Sequence, residues 1–173
     1  MKRLKKLIGL ILAFSVMMSI TALAKETTWE NSPGHHDQGI LLPDSATSTS
    51  DRVERYGRGE IISAGEVELT NLQNGSLRIE IETYAHKPVD AIYQTVFLEQ
   101  WDDASQEWEQ IDSWDFEKQK GSDTHFTHWS KSFTVSGCTV NKYYRVCGLH
   151  MVELNGETES CSSRTNGIKL TKK

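Results

Sequence analysis

Long apolar runs, clusters of basic residues and cysteines are all scarce in this sequence. Among 173 residues there are 19 Lys or Arg against 24 Asp or Glu, and only three cysteines. After residue 24 no apolar run approaches the roughly 20 residues of a bilayer-spanning helix, and no segment concentrates the Lys and Arg that bind a phosphate backbone. We therefore expect neither a membrane-embedded domain nor a nucleic-acid partner.

The one long apolar run lies at the N-terminus and is typical of a secretory signal peptide. Four basic residues fall within the first six positions, the apolar run covers residues 7–20, and Ala22-Leu23-Ala24 forms a small-residue cleavage site. We predict a signal peptide over residues 1–24 and a protein secreted to the extracellular or cell-wall space, with no membrane attachment after cleavage. Loss of the four basic residues leaves 15 against 24 acidic ones, a net charge of −9, which disfavours anionic membrane surfaces.

The segment from residue 25 to residue 51 is predicted to be a flexible arm ahead of the folded domain. It is rich in Thr, Ser, Pro, Gly and Asn and lacks helical or strand periodicity. Ile40-Leu41-Leu42 is the only part of it that would tether the arm to the domain. His35-His36-Asp37 is interpreted as solvated loop, because adjacent imidazoles in a flexible segment make a loose metal site at best. The folded domain is predicted to span residues 52–173.

The rest of the chain shows the period of two that is typical of β-strands. Leu77, Ile79 and Ile81 alternate with charged residues, which predicts a strand with one buried face. Asn155-Gly156 favours a tight hairpin turn. Further strands are predicted over residues 66–70, 91–101, 108–116, 129–135 and 143–153. Residues 157–170 are predicted to supply the last strand or two, and no segment resembles an amphipathic helix. About seven strands predict an all-β fold, a single antiparallel β-sandwich or a closely related barrel.

The last two predicted strands resemble those of a fibronectin type III domain. The resemblance is carried by Tyr143-Tyr144-Arg145-Val146, by Asn155-Gly156 and by Glu159-Ser160. It implies an immunoglobulin-like sandwich. The sequence departs from that family at Lys142, where the corner tyrosine of the family would fall.

Most of the predicted domain is similar to a family of small secreted proteins of Gram-positive bacteria that is known only as a domain of unknown function. The residues that carry the similarity are Arg58-Gly59, Ser63-Ala64-Gly65, Val96-Phe97-Leu98-Glu99, Trp108, Tyr143-Tyr144-Arg145-Val146, His150, Glu159-Ser160 and Thr165-Asn166-Gly167-Ile168. This similarity implies export and a β-rich domain. It implies no activity.

Neither the cysteines nor the histidines form a recognisable catalytic or metal-binding motif. His150 is the only histidine near Cys147, and residues three apart on a strand point to opposite faces, which disfavours a nucleophile with its base. His125 and His128 have the same spacing, and Asp102 to Gln106 offers turn carboxylates without the ligand spacing of a strong calcium loop. We expect no catalytic residue, no cofactor and no metal, and a protein that is not an enzyme.

Cysteines of exported proteins tend to be oxidised, because the extracellular environment is oxidising. We predict a disulfide between Cys147 and Cys161. The Asn155-Gly156 turn folds their two segments into an antiparallel pair. A strict two-residue loop would pair 150 with 161 and put the two cysteines on opposite faces, whereas a loop one residue longer would put them on one face. An alternative in which Cys138 takes one of them as its partner stays open.

Three of the five tryptophans lie between positions 101 and 114. Trp108 and Trp114 share strand parity, so if Ile111 faces the core both indoles face solvent and form an aromatic platform with Trp101. A bulge in the strand would break this parity and place indoles in the core instead. The platform predicts Trp101, Trp108 and Trp114 as ligand-binding residues.

Three classes of function remain open. The fold, the charge and the missing motifs favour a secreted, non-catalytic module that binds an extracellular protein, peptide or glycan. A structural protein associated with the cell envelope is the second class, and a hydrolase with a dispersed active site is the third. A flat exposed aromatic strip would favour the binding module, and a deep pocket with converging polar groups would favour the hydrolase.

Overall fold

A computed structural model describes residues 39–57 and 61–173 of the chain. Within these ranges the protein forms nine strands and no helix, so none of the described residues belongs to a helix able to cross a membrane. The strands are β1 (Ser48–Glu54), β2 (Ile62–Asn71), β3 (Ser76–Ala85), β4 (Ala91–Asp102), β5 (Glu107–Gln119), β6 (His128–Ser136), β7 (Tyr143–Leu154), β8 (Glu157–Arg164) and β9 (Ile168–Lys169).

The strands form two antiparallel sheets packed face to face. The first sheet has the order β1-β2-β3-β6, and the second has the order β5-β4-β7-β8 with β9 paired to the start of β7. This architecture confirms the predicted all-β sandwich. Nine strands are present where about seven were expected, because the polar β1 carries little sequence signal and the predicted segment 157–170 contains both β8 and β9.

The interior is filled by the alternating apolar residues that predict the strands. Leu77, Ile79 and Ile81 of β3 are completely buried and face Val96 and Leu98 of β4 from the other sheet, within one continuous apolar cluster. Complete burial of each such side chain stabilises the fold by about 1.5–3 kcal/mol. The predicted strand over residues 77–81 is therefore confirmed, and its charged partners lie on the outer face.

The first strand begins four residues before residue 52, the predicted start of the folded domain. β1 begins at Ser48 and pairs with β2 from Ser48 opposite Thr70 to Glu54 opposite Ala64. Thr49 is its only buried residue, so this edge strand has no apolar alternation to reveal it. Leu42 of the predicted tether packs against the interior cluster. The part of the predicted arm before residue 39 lies outside the described residues.

The hairpin between β7 and β8 follows the turn chemistry of its sequence. Asn155 and Gly156 both have positive φ angles, 52° and 80°, as a two-residue type I′ turn requires. Leu154 pairs directly with Glu157 across this turn. The loop therefore has the strict two-residue length, which fixes the register of the whole hairpin.

Tyr144 ties the start of β7 to the loop before it. Its ring is completely buried, and its hydroxyl lies 2.9 Å from the carbonyl oxygen of Thr139, five residues upstream, and 2.8 Å from Oε1 of Gln100 on β4. These contacts fix the path by which the chain enters β7 from the other sheet.

Candidate functional site

Trp101 and Trp108 face each other across the hairpin of β4 and β5. The two residues are direct partners in the register, and their rings meet edge to face with centroids 5.3 Å apart at 63°. Trp101 has the opposite strand parity to the interior residue Leu98, so the pair lies on the outer face of the second sheet. Only 8% of Trp101 is exposed, whereas Trp108 is half-buried.

Trp114 does not join them, because a β-bulge interrupts β5. Leu98 pairs with Asp112 and Glu99 pairs with Gln110, which leaves Ile111 as the extra residue. The bulge reverses the parity of the strand, so Trp114 turns inward between the sheets, 5.1 Å from the ring of Phe133. The prediction that three tryptophans share one surface is wrong for Trp114, and the 46% exposure of Ile111 shows that this residue does not face the core.

The ring of Trp108 is fixed by a buried ion pair. The guanidinium carbon of Arg145 lies 4.4 Å from the ring centroid, and Arg145 Nε lies 2.5 Å from Oε2 of Glu99. The side chains of Arg145 and Glu99 are 3% and 4% exposed. Glu99 and Arg145 are direct partners on β4 and β7, so the strand register itself brings the two charges together. A buried pair of this kind is costly to break, because either charge left without the other would remain desolvated.

The segment before β1 completes the same end of the sandwich. Leu42 N donates to Gly167 O at 2.8 Å, and Gly167 N donates to Ile40 O at 2.9 Å, so residues 40–42 run beside position 167. A Cβ atom at Gly167 would lie 2.6 Å from Trp108 Cη2 and 3.1 Å from Leu41 Cδ2. Gly167 therefore lets Trp108 and Leu41 lie directly against the backbone.

Two aliphatic side chains at this end are exposed: Leu41, which meets Trp108 at Gly167, and its neighbour in the chain, Ile40. Ile40 is 64% exposed and Leu41 is 39% exposed, both high for apolar residues. Ile40, Leu41 and Trp108 together are called the rim surface below. The sequence predicts Trp108 as a site residue, whereas Arg145, Glu99 and Gly167 enter it only as residues that carry the family similarity. A Glu and an Arg within otherwise apolar strands were a visible signal of an ion pair.

The carboxylates in the turn between β4 and β5 are engaged in hydrogen bonds and an ion pair within the protein. Asp102 accepts hydrogen bonds from the backbone N–H groups of Ala104 at 3.2 Å and Ser105 at 3.0 Å. The hydrogen bond from the Ser105 side chain, followed by these amides, holds the pKa of Asp102 below its usual value. Asp103 forms an exposed ion pair with Lys142 at 2.7 Å. Among the described residues, no three His, Cys, Asp or Glu side chains are grouped to hold a metal ion.

The predicted disulfide between Cys147 and Cys161 does not form. The two-residue turn pairs His150 with Cys161 and Cys147 with Arg164, which places the two sulfurs on opposite faces of the sheet. Cys161 lies in the interior, where burial raises the pKa of its thiol to about 11. Cys147 lies on the outer face in contact with Arg164, whose Nη2 is 3.8 Å from Sγ. Cys138 forms no disulfide either.

His150 lies in the interior and is held by two hydroxyl groups. Its Nδ1 is 3.0 Å from Thr83 Oγ1, and its Nε2 is 2.8 Å from Ser163 Oγ. His150 is completely buried and Ser163 is 2% exposed. Burial lowers the pKa of His150 to about 3, so the ring is neutral at physiological pH. The serine, histidine and threonine form a buried hydrogen-bonded network between the sheets, and Gln94 Nε2 also donates to Thr83 Oγ1 at 3.0 Å.

His125 and His128 do not form a pair in the structure. His128 begins β6, with Nε2 3.0 Å from Glu82 and its ring stacked on Tyr84 at 4.5 Å. His125 lies in the preceding loop, where its ring contacts Thr124 Oγ1 at 3.1 Å. The position of His35-His36-Asp37 lies outside the described residues.

The end of the sandwich opposite the rim surface has a shallow concavity of about 360 Å³. The Lys120 ammonium contacts one carboxylate oxygen of Asp90, and the other accepts from Asn155 N at 2.7 Å. These bonds, that from Lys120 first, lower the pKa of Asp90. The polar groups lining this concavity therefore join the β3–β4, β5–β6 and β7–β8 loops to one another.

The fold and this site define a small antiparallel β-sandwich domain with an aromatic and aliphatic surface at one end. Residues 34–168 match the family of unknown function DUF6147, so the chain belongs to that family. This confirms the expected membership of a domain family of unknown function. A comparison with curated proteins finds no match.

Proposed function

We propose that this protein is exported and acts as a non-catalytic module that binds an extracellular protein, peptide or glycan through the rim surface. The observation that carries the proposal is the Trp108 indole, held by Trp101 and the Arg145–Glu99 pair and bordered by exposed Ile40 and Leu41. A ring already fixed in place loses little conformational freedom when a ligand packs on it. Apolar groups clustered at the surface commonly mark interaction sites.

The predicted fibronectin type III likeness supports a binding role for the domain, by analogy of fold alone. The Tyr144 hydroxyl reaches the Thr139 carbonyl, which is the hydrogen bond that a tyrosine corner makes. The resemblance implies a corner at position 142, which is Lys142 in this chain, two residues before Tyr144. Residues 142 and 144 are two positions apart and point to the same face of a strand, so Tyr144 can serve as the corner tyrosine.

Export is supported by the charge, length and cleavage-site pattern of residues 1–24. The test is the intact mass of the protein released to the medium by a Gram-positive expression host. We expect a chain that starts at Lys25. Recovery of full-length, membrane-bound chain alone would contradict export.

The binding proposal is tested with the mature chain, residues 25–173, immobilised and exposed to cell-wall material and to extracellular proteins. We expect a captured ligand to be lost with Leu41→Ser and with Ile40→Ser, which remove exposed apolar surface and leave the interior intact. Tyr56→Ser is the matched control, because Tyr56 is 84% exposed and lies near the opposite end of the sandwich.

Two results would count against the proposal. Capture that survives both rim substitutions would place binding elsewhere on the molecule. Absence of any captured ligand would favour the structural, envelope-associated class instead.

A further inference from the structure

The outer face of the second sheet carries a strip of buried side chains along its centre. Phe97 of β4 and Cys147 and Leu149 of β7 alternate with interior residues such as Val96 and Val146, so they point away from the first sheet. They are nevertheless only 0%, 1% and 6% exposed. Because the outer face of an uncovered sandwich lies in water, this strip is covered from outside.

The outer face of the first sheet shows how an uncovered face differs. Its outward-facing charges on β3, at Arg78, Glu80 and Glu82, are exposed or half-buried.

The cover of the second sheet does not come from the described strands. Within residues 39–57 and 61–173 every strand belongs to one of the two sheets, and the first sheet packs on the inner side of the second. The cluster of Phe97, Cys147 and Leu149 contains no other apolar residue of these ranges. The exposures are those of a single chain, so the cover belongs to the chain itself.

The covered strip is narrow. Ser113 on β5 and Ser162 on β8 are the direct strand partners of Phe97 and Leu149, and both serines are exposed. The cover is therefore limited to β4 and β7, a width of about 10 Å, and from Arg145 to Leu149 it is about 14 Å long. These dimensions fit one segment of chain rather than a further folded layer.

The described chain begins at one end of this strip. A Cβ atom at Gly39 would lie 3.1 Å from Arg145 Nη1, so the backbone of Gly39 lies against the outer face of β7. Residues 25–38, which precede it, span about 46 Å at about 3.3 Å each and are long enough to cross the strip. Residues 58–60 connect two strands of the first sheet and are too few to do so.

We infer that residues 25–38 cover the outer face of the second sheet, with the Trp29 indole packed on Phe97 and Leu149. Trp29 is the only large apolar residue of this segment. An indole buries about 150–250 Å², which matches the area of the strip. The segment closes the thiol of Cys147 off from solvent, in place of the flexible arm that composition predicts. The inference does not depend on binding at the rim surface.

The thiol of Cys147 reports on this cover. In the mature chain, residues 25–173, we expect an alkylating reagent to modify Cys147 about tenfold more slowly than the less buried Cys138. Trp29→Ser removes the anchor without changing the sandwich, so Cys147 should then react about tenfold faster than in the parent protein. Cys161 lies in the interior and should keep one slow rate in both proteins, as expected when the fold is kept.

Two further variants control for the aromatic ring and for stability. Tyr56→Ser removes an exposed ring that follows β1 of the first sheet, and should leave the rate of Cys147 unchanged. Leu149→Ala removes the sheet side of the same contact and should raise that rate. Urea unfolding of each variant distinguishes opening of the covering segment from a loss of global stability.

A second measurement needs no substitution. A Glu-specific protease should cut the folded mature chain after Glu30 more slowly than the urea-unfolded chain, because the covering segment is held on the sheet. Cleavage there removes Trp29, and Cys147 should then become reactive.

Three results would overturn the inference. Alkylation of Cys147 in the parent protein as fast as that of Cys138 would show that residues 25–38 leave the face open. Unchanged protection in Trp29→Ser would show that this indole is not the anchor. Equal cleavage after Glu30 in the folded and unfolded chains would show a flexible arm. None of these results bears on binding at the rim surface, which Leu41→Ser tests separately.

Discussion

Lowering the pH from 7.5 to 5 should destabilise this domain mainly through one buried side chain, His150. The ring is completely buried, and its burial lowers its pKa from 6.5 to about 3. The unfolded chain therefore takes up a proton on this residue at a pH where the folded chain does not. The contribution to stability is complete above the unfolded pKa and is lost as pH falls from about 6.5 towards 3.

The size of the effect follows from the separation of the two pKa values. Each pKa unit corresponds to about 1.4 kcal/mol, so the loss reaches about 5 kcal/mol below pH 3 and is about 2 kcal/mol at pH 5. Asp90 and Asp102 also have lowered pKa values, and their contributions are lost only as the pH falls to about 4 and below. Between pH 7.5 and 5 the histidine dominates.

The assay is urea unfolding followed by tryptophan fluorescence at several pH values between 7.5 and 5. His150→Gln removes the titrating ring and keeps a polar group near Thr83 and Ser163, so its stability should be lower at neutral pH and vary about 2 kcal/mol less over this range. His125→Gln is the control, because that residue is exposed, and should behave as the parent protein does. Equal pH dependence in the parent and His150→Gln would refute the reasoning.

Three further outcomes are expected. Gly65→Ala should destabilise the fold by about 1–3 kcal/mol in urea unfolding, since its Cβ would lie 2.3 Å from the buried imidazole; unchanged stability would show that the sheets separate easily. Trp114→Ala should lower the free energy of unfolding by about 3 kcal/mol in the same assay, because it removes packing against Phe133; unchanged stability would show that this indole lies at the surface. Peptide mapping without reduction should recover every cysteine as a thiol, with Cys138 alkylated faster than Cys161 in the folded protein because it is less buried; a bridged peptide would contradict this.

Local pattern predicts the fold well wherever burial alternates along a strand. Leu77, Ile79 and Ile81 of β3 all face the interior, and the Asn155-Gly156 turn has the φ angles expected from its sequence. The sequence does not reveal β1, because its inward-facing residues are Thr49, Asp51 and Val53, of which only one is apolar, although burial alternates along the strand.

The candidate site was predictable only in part, because it depends on details of register. The pairing of Trp101 with Trp108 follows from a simple hairpin, whereas the inward turn of Trp114 depends on one extra residue at Ile111. No residue type marks such a bulge. The cysteine pairing likewise depended on one residue of loop length, and the strict turn gave the register that keeps the sulfurs apart.

The rim surface depends on contacts between distant parts of the chain. Ile40 and Asn166 are 126 positions apart, and the hydrogen bonds of Gly167 to this segment form only when the sandwich is closed. A destabilised interior variant such as Gly65→Ala leaves the rim surface unchanged, so it affects apparent binding only to the extent that it lowers the folded fraction. Leu41→Ser removes exposed surface, so loss of binding at unchanged stability in that variant reports on the surface itself. Comparing the two variants at equal folded fraction separates a contact made to the partner from a contact that holds the site together.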